Sequence, residues 1–316
     1  MASLKNIKIK ISSVKKTATV THAMEAVSAV KMRKGQERAL GSRAYAAAAL
    51  SVLERLAGTA DVARHPLMRA NDPNLDIRSG TGSQLKCFIV VTSDKGLAGS
   101  LNSGIIRRVE KEIETLRWDK NEIRMIAIGR RGGDYFANRG YDVRIKKENV
   151  ADGVSEMDIR EVTDKILEWH AAGEIGQCIV VYQNFLSTFE QQPTIRQIVP
   201  ITPETMHEMV KGIRPARGKY APVQGEPSDK PAAYTIEPDA DTVLAMLLPK
   251  LLNIAVFHAL LENKASEHSA RMVAMKSATD KAKDMTKSLT RTFNRIRQAA
   301  ITREVSEITS GIEAMR

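Results

Sequence analysis

The segment whose residue types come closest to those of a catalytic site is a glycine-rich turn from Thr92 to Asn102, with Asp94 and Lys95 side by side. We predict that it follows a strand and precedes a helix, a position where backbone N–H groups often bind phosphate. Asp94 could serve as a base and Lys95 as an electrophile. However, the turn matches neither the G-x-x-x-x-G-K-S/T phosphate loop nor the G-x-G-x-x-G dinucleotide fingerprint. A tight turn closed by local hydrogen bonds would need the same residues, so we favour a structural role and keep a phosphate-handling enzyme as the alternative.

The histidines and cysteines show no spacing that favours chemistry. No histidine has a neighbouring His or Cys at metal-ligand spacing, and no Ser-His-Asp or Cys-His arrangement can be drawn. Both cysteines, Cys87 and Cys178, lie inside apolar strand runs, which indicates buried thiols rather than a disulfide. We therefore predict no catalytic, cofactor-binding or metal-binding residue. The histidines are His22, His65, His170, His207, His258 and His268.

The C-terminal segment, residues 238–316, has the heptad pattern of a coiled-coil helix about 120 Å long at 1.5 Å per residue. No ordinary domain core covers such a helix, so it needs a partner helix and, for part of its length, another protein. The two histidines of the seam are interpreted as polar positions that set the register. Its predicted inward positions are Leu247, Leu251, Ile254, His258, Leu261, Ala265, His268, Met272, Met275, Thr279, Ala282, Thr286, Leu289, Phe293, Ile296 and Ala300.

The N-terminal segment, residues 1–58, is predicted to be the partner helix, ending at Gly58. Its seam starts at Ile7, Ile11, Val14 and Ala18. After a predicted register shift it continues through Val20, Met24 and Val27, and it ends with Met32, Ala39, Ala46, Ala49, Leu53 and Leu56. Both seams are rich in small residues, which allows close backbone approach but removes little apolar surface from water. We therefore expect modest intrinsic stability.

The central residues, 84–200, alternate short apolar runs with helical patterns, as in an α/β domain. The apolar runs 87–91 and 178–182 are typical of parallel strands buried on both faces. Residues 201–237 are rich in Pro, Gly and charge and are predicted to form a mobile linker. The predicted strands are Lys86–Thr92, Arg124–Gly129, Asp142–Lys146, Gln177–Gln183 and Thr194–Pro200, and the predicted helices are Leu101–Leu116, Gly132–Asn138 and Asp158–Ala172.

Charge and composition limit the partners. The chain of 316 residues carries a formal net charge of +11, and 4% of its residues are aromatic. Nucleic acid, an anionic membrane surface and an acidic protein collar all fit the charge, but the scarcity of aromatic residues disfavours single-stranded nucleic acid. A solvated charged face remains the alternative to an acidic collar. We find no apolar run of about 20 residues that would cross a bilayer and no signal peptide, so we expect a cytoplasmic or organelle-matrix protein.

Three blocks of sequence resemble a known family. They are residues 21–34 in the N-terminal helix, 93–102 in the turn, and the C-terminal stretches 259–263, 270–280 and 297–308. In these blocks, in this order, the chain is similar to the gamma subunit of the F-type ATP synthase, the central rotating shaft of that complex. One departure is Ala98, where the family usually has Cys. Paired cysteines in an inserted loop, which give chloroplast relatives thiol regulation, are not found.

The resemblance implies a fold and a mechanism. The fold is α/β: the terminal helices form a long antiparallel coiled coil, and the central α/β domain is Rossmann-like. The coiled coil would enter a ring of three alpha and three beta subunits, while the central domain rests on the membrane c-ring, with epsilon and delta as further subunits. Rotation of this non-catalytic shaft, which needs no cofactor, would couple ion flow to ATP synthesis or hydrolysis on the beta subunits.

The resemblance also implies contact residues and a location. Family contacts to the acidic loops of the beta subunits map onto Met24, Arg271, Arg297, Gln298, Thr302 and Glu307. The protein would be peripheral to the cytoplasmic face of a bacterial inner membrane, or its organellar equivalent, and would meet the membrane only through the c-ring. A coiled-coil scaffold with an α/β cap shares the heptads, but it gives no reason for the third block.

Overall fold

The computed structural model describes residues 2–57, 67, 85–201, 205 and 240–315, and in the first helix the side chains from 4 to 38. The predicted stop at Gly58 and nearly all of the predicted linker 201–237 lie outside these residues. So do the predicted seam side chains from Ala39 onward. The elements are α1 (Ala2–Ala57), β1 (Leu85–Val91), α2 (Leu101–Leu116), β2 (Ile123–Ile128), α3 (Arg130–Ala137), β3 (Asp142–Lys147), α4 (Met157–Ala171), β4 (Ile175–Phe185), β5 (Gln191–Val199) and α5 (Ala240–Ala314).

The chain forms two compact units. Residues 1–29 and 271–316 make one, which we call the coiled-coil unit, and residues 30–270 make the other, the sheet unit. The sheet unit thus takes in the second half of α1 and the first part of α5, beyond the central residues 84–200 that the α/β pattern marked in the sequence.

The sheet has the strand order β3-β2-β1-β4-β5. Neighbouring strands are parallel from β3 through β4, and β5 is antiparallel to β4. All five predicted strands are present, and β4 extends two residues further than predicted at each end. The chain leaves β1 for β2 on one side and later returns to β4 on the other, so β1 and β4 flank the point where the strand order reverses, as in Rossmann-like folds.

Helices cover both faces of the sheet. On one face α2 and α3 pack against β1, with Phe88, Ile105 and Phe136 almost fully buried. On the other face α4 and the first part of α5 pack against the strands, and both helices contribute fully buried apolar residues. Those of α4 are Ile159, Val162 and Ile166, and those of α5 are Leu252, Val256, Ala259 and Leu260.

The two cysteines belong to the second of these cores. Cys87 on β1 and Cys178 on β4 are paired across the two strands. Both are buried free thiols, as predicted.

The first part of α5 is a core helix rather than one strand of a simple coiled coil. Between Leu251 and Ser269 nearly every residue is buried, on all sides of the helix. His258 and His268, predicted as register-setting seam positions, lie beside carboxylates: the Nε2 of His258 lies 3.3 Å from Glu262, and that of His268 lies 2.9 Å from Asp152. Contrary to the prediction from sequence, one 18-residue window in α5 is apolar enough by composition to span a bilayer. However, 61% of this window is buried inside the protein, as in the core helix of a folded domain.

The helices α1 and α5 pair in both units. In the sheet unit, a Cβ added to Gly35 would lie 3.4 Å from the Cα of Ala265, so the backbones approach closely. In the coiled-coil unit the hydroxyl groups of Thr21 and Thr279 are 2.7 Å apart. These two pairs show that α1 and α5 run antiparallel, because the residue number in α5 falls as the residue number in α1 rises.

The predicted register shift in α1 is wrong. Val20 and Val27 are 58% and 56% exposed, whereas Ser28 is 3% exposed. The inward positions keep one 4-3 phase from Ala18 through Thr21 and on to Ser28. Hydrophobicity misled the prediction because a seam threonine needs no apolar partner: the Thr21 hydroxyl donates to the carbonyl of Thr17 at 3.0 Å and stays satisfied.

The predicted seam of α5 is confirmed along the coiled-coil unit as far as Ile296. Its positions are buried or half-buried. The last predicted position, Ala300, is exposed, so the seam ends one step earlier than the sequence indicated. The confirmed positions are Met272, Met275, Thr279, Ala282, Thr286, Leu289, Phe293 and Ile296.

Candidate functional site: the exposed end of the C-terminal helix

The end of α5 has no cover from the described part of this chain. Every residue from Arg297 to Met315 is exposed. Several of these residues are large and apolar, with exposed fractions from 52% to 87%, and they recur in 4-3 steps that place them on one face of the helix. We call this face the apolar stripe, and its members are Ile301, Val305, Ile308, Ile312 and Met315.

The apolar stripe is not a continuation of the coiled-coil seam. From Ile296 the seam would continue at Ala300, Arg303 and Glu307, of which the last two are charged. The stripe instead starts at Ile301, one residue later. One residue is about 100° around a helix with 3.6 residues per turn, so the stripe faces a different direction. An apolar face that leaves the seam in this way is typical of a helix that meets a second partner.

The predicted contact residues divide between two places in the coiled-coil unit. Arg297, Gln298, Thr302 and Glu307 all lie exposed on the end of α5, beside or opposite the apolar stripe. The Thr302 hydroxyl donates to the carbonyl of Gln298 at 3.0 Å. Elsewhere, Met24 is half-buried on α1, and Arg271 is only 8% exposed. The structure therefore places four of the six predicted residues on the exposed end of α5, on different sides of the helix, and places Met24 and Arg271 apart from that end.

The turn after β1 uses its polar groups to close the fold. The free N–H groups at the start of α3 are bonded to this turn: Arg130 donates to the Asp94 carboxylate at 3.0 Å, and Arg131 donates to the carbonyl of Ser93 at 3.2 Å. The next one, Gly132 N–H, donates to the hydroxyl of Thr92 at 2.9 Å. These N–H groups belong to α3, which starts after β2 at the same edge of the sheet, and a phosphate bound at the N-terminus of α3 would need them. The polar groups of the turn hold the start of α3 in place, which supports the structural role of Asp94 and Thr92.

The point of strand-order reversal, where Rossmann-like proteins bind ligands, is filled by α5. Beyond Val181, β4 has no partner in β1. There the N–H of Gln183 donates to Oδ1 of Asn263 at 3.1 Å, and the carbonyl of Gln183 accepts the hydroxyl of Ser266 at 3.1 Å. One turn further along, the Ser269 hydroxyl donates to the carbonyl of Thr188. Side chains of α5 thus take the place of a neighbouring strand, and the helix is bonded to the sheet where a ligand would otherwise sit.

Sequence reasoning missed the apolar stripe and these helix-to-sheet hydrogen bonds. The 4-3 spacing from Ile301 to Met315 was a signal that could have revealed the stripe, since only the phase changes at Ile296. The bonds to Gln183 had no such signal, because Asn263 is distant in sequence and polar residues inside an apolar helix have many possible partners.

Comparison with known proteins gives a consistent result. A family model described as ATP synthase matches residues 3–315. The chain is 36% identical over 315 residues to an ATP synthase gamma chain of Pelotomaculum thermopropionicum, and 35% identical to that of Heliobacterium modesticaldum, covering 100% of both chains in each case.

Solved structures share the fold. The rotor of the mitochondrial ATP synthase of Euglena gracilis, in rotational state 1, superposes with a TM-score of 0.58 at 15% identity, over 95% of this chain and 99% of that one. A chain of the same organism's OSCP/F1/c-ring structure, in rotational state 3, gives a TM-score of 0.63 at 16% identity, over 99% of this chain and 95% of that one. At this identity the likeness concerns the fold alone.

Proposed function

Because the chain belongs to the ATP synthase gamma-chain family, we propose that it turns as the rotor shaft that couples a membrane c-ring to ATP synthesis or hydrolysis on the beta subunits. The observation that carries the proposal is the exposed end of α5 with its apolar stripe. A helix end without a packed face is marginal in water by itself. Burying the stripe in a sleeve would contribute about 1 kcal/mol for each half-exposed apolar side chain.

The partners follow from this role. The ring of three alpha and three beta subunits would surround the coiled-coil unit, and the sheet unit would rest on the c-ring, with epsilon and delta completing the complex. The polar side chains beside the stripe, Arg297, Gln298 and Thr302 with Glu307 behind them, would contact acidic loops of the beta subunits. Met24 and Arg271 would contact the same loops lower on the shaft. We further propose the division into segments 1–58, 84–200, 201–237 and 238–316 as the functional division of the chain.

The proposed mechanism makes and breaks no bond on this chain. An asymmetric shaft presents a different face to each beta subunit as it turns, and each face favours a different nucleotide-binding state. Such coupling needs only that the contact energy differs between states, since a partner that binds all states equally shifts none of them. The chain would be peripheral to the membrane, on the cytoplasmic face in bacteria or its organellar equivalent.

Reconstitution tests the proposal. We would measure ATP hydrolysis by the purified chain, by the alpha and beta subunits, and by their mixture. The proposal expects an inert chain that forms a stable complex with the ring and changes its turnover. Hydrolysis by the chain alone, or failure to join the ring, would refute it.

Charge reversal at Arg297 sharpens the test. Arg297→Glu should uncouple rotation from turnover without changing how the isolated chain folds, because its side chain is exposed. Arg107→Glu is a matched control, since Arg107 is an exposed arginine on α2, far along the chain from the end of α5. Equal effects of the two variants would show that Arg297 has no special contact.

A further inference from the structure

One loop of the sheet unit holds both long helices. It connects β3 to α4 and contains Val150 and Asp152. The carboxylate of Asp152 bridges the helices: one oxygen lies 2.8 Å from Nζ of Lys31 on α1, and the other lies 2.9 Å from Nε2 of His268 on α5. A single side chain therefore contacts both helices at once.

Backbone carbonyls of the same loop add two further contacts. The carbonyl of Asp152 accepts a hydrogen bond from the Arg38 guanidinium of α1 at 2.5 Å, and the carbonyl of Val150 accepts one from Nζ of Lys264 on α5 at 2.8 Å. Each helix thus holds the loop by two basic side chains spaced along its length. We call Asp152 with Lys31, Arg38, Lys264 and His268 the loop clamp.

The charges of the loop clamp favour an ionised carboxylate. Burial raises the pKa of Asp152, but the hydrogen bonds with Lys31 and His268 lower it by more, and the pKa is lowered to about 2. The His268 side chain is only 6% exposed, whereas Lys31 is 48% exposed. The α5 arm of the clamp is therefore enclosed, while the α1 arm is open to solvent.

The position of the loop clamp along the chain indicates its use. The sheet unit begins at Val30 and ends at Ala270. Lys31 is the second residue of that unit and His268 the third from its end, so the clamp holds both helices just where they pass out of the sheet unit. If the sheet unit receives torque and the coiled-coil unit delivers it, torque crosses the chain at these residues.

We propose that Asp152 is a positioning residue for torque transmission: it fixes α1 and α5 to the β3–α4 loop, so that rotation of the sheet unit turns both helices together. This inference rests on the proposed rotor function. The Asn263 and Ser266 bonds attach α5 alone to the sheet, and the loop clamp adds α1 to the same body. Without Asp152, α1 loses its ion pair with the loop, and α1 is then held less firmly beside α5 when the shaft turns against a load.

Asp152→Asn tests the proposal in the complete membrane complex reconstituted into vesicles. We would measure ATP hydrolysis and ATP-driven uptake of the coupling ion in the same preparation. Hydrolysis without load should stay at the wild-type rate, while ion uptake per ATP hydrolysed should fall about two- to five-fold, the change in population expected from losing a part-exposed ion pair. Asp152→Glu keeps the charge and should recover most of the ratio.

Asp142→Asn is the matched control. Asp142 is similarly exposed, 44% against 40% for Asp152, and it forms an ion pair with Arg144 at 2.8 Å within β3. This variant removes a carboxylate of the sheet unit without touching either long helix, so its ratio of uptake to hydrolysis should match the wild type. A reduction equal to that of Asp152→Asn would refute the proposal.

A second variant keeps the test valid if Asp152→Asn folds poorly. Lys31→Met removes only the solvent-exposed α1 arm and should lower the ratio in the same direction. An unchanged ratio in both Asp152→Asn and Lys31→Met, with the wild type coupled, overturns the role of Asp152 alone. A wild-type chain that supports no coupled uptake would instead overturn the rotor function.

Discussion

Asn263 provides the sharpest test of how α5 is attached to the sheet. Its Oδ1 accepts the backbone N–H of Gln183 at 3.1 Å, and both side chains are buried, at 0% and 6% exposure. In Asn263→Ala this N–H loses its acceptor in a place that solvent does not reach. A buried donor left unpaired costs about 1–3 kcal/mol, so we expect the sheet unit to lose about 2 kcal/mol of its free energy of unfolding.

Asn253→Ala is a matched control on the same helix. Asn253 is 7% exposed, and its Nδ2 donates to the Glu156 carboxylate at 3.0 Å. Among the described residues, Asn253 Oδ1 and Asn263 Nδ2 also have no hydrogen-bond partner, so truncation removes one buried unpaired polar atom in both variants. The difference lies in what is left behind, because Glu156 is exposed and water can replace its lost bond. We expect Asn253→Ala to cost about 1 kcal/mol, half as much as Asn263→Ala.

Tryptophan fluorescence during urea unfolding of the full chain measures this difference. Both tryptophans of the chain, Trp118 and Trp169, belong to the sheet unit, so the signal follows that unit. With a urea dependence of about 2 kcal/mol per molar, the unfolding midpoint of Asn263→Ala should lie about 1 M below that of the wild type, and the midpoint of Asn253→Ala about 0.5 M below it. If the midpoints of Asn263→Ala and Asn253→Ala agree within about 0.2 M, α5 does not substitute for a strand beside β4.

Three further predictions concern the seam, the loop clamp and the apolar stripe. Ser28→Asp should lower the thermal unfolding midpoint of the full chain, measured by circular dichroism, because it buries an unpaired carboxylate. The exposed Val27→Asp should change stability by less than about 0.5 kcal/mol. A larger loss in Val27→Asp than in Ser28→Asp would support the register shift. Lowering the pKa of Asp152 from 3.8 to about 2 corresponds to about 2.4 kcal/mol of folding free energy, at about 1.36 kcal/mol per pKa unit. Solvent screening of this 40% exposed side chain reduces the contribution to about 1 kcal/mol. The folded-state pKa is depressed, so this stability is present above pH 4 and lost as pH falls towards 2. The gap between wild type and Asp152→Asn in urea unfolding should therefore narrow below pH 4, and a constant gap would refute the assignment. Ile308→Glu should weaken binding to the ring of alpha and beta subunits at least about tenfold without changing the unfolding of the isolated chain. Ser310→Glu, on the opposite face, should have little effect, and equal losses would argue against the stripe.

Local pattern was sufficient for much of the fold. The apolar runs indicated all five strands, and the helical periodicity indicated the two long terminal helices, because burial on one face imposes a period that is visible in any short window. The burial of Cys87 and Cys178 followed from the same runs. The three blocks at residues 21–34, 93–102 and 259–308 were enough to indicate the family.

Sequence reasoning failed where side-chain chemistry and hydrophobicity point in different directions. In α1 the prediction followed Val20 and Val27, although the structure exposes both and buries Ser28, the residue after Val27. A small hydroxyl side chain can occupy a seam because it satisfies itself on the preceding turn. Hydrophobicity alone cannot identify such a seam position, whereas a strict 4-3 count from Ile7 leads to Ser28.

The order of residues was enough to establish which segments are helices and strands, which family the chain belongs to, and which end of it needs a partner. The folded chain was needed to show that Asn263 serves as an acceptor for β4, that the turn after β1 occupies the N-terminus of α3, and that Asp152 joins α1 to α5. The physical reason is distance along the chain. Periodicity acts between residues three or four apart, but Lys31, Asp152 and His268 are separated by more than a hundred residues, and only the folded backbone brings their charges together.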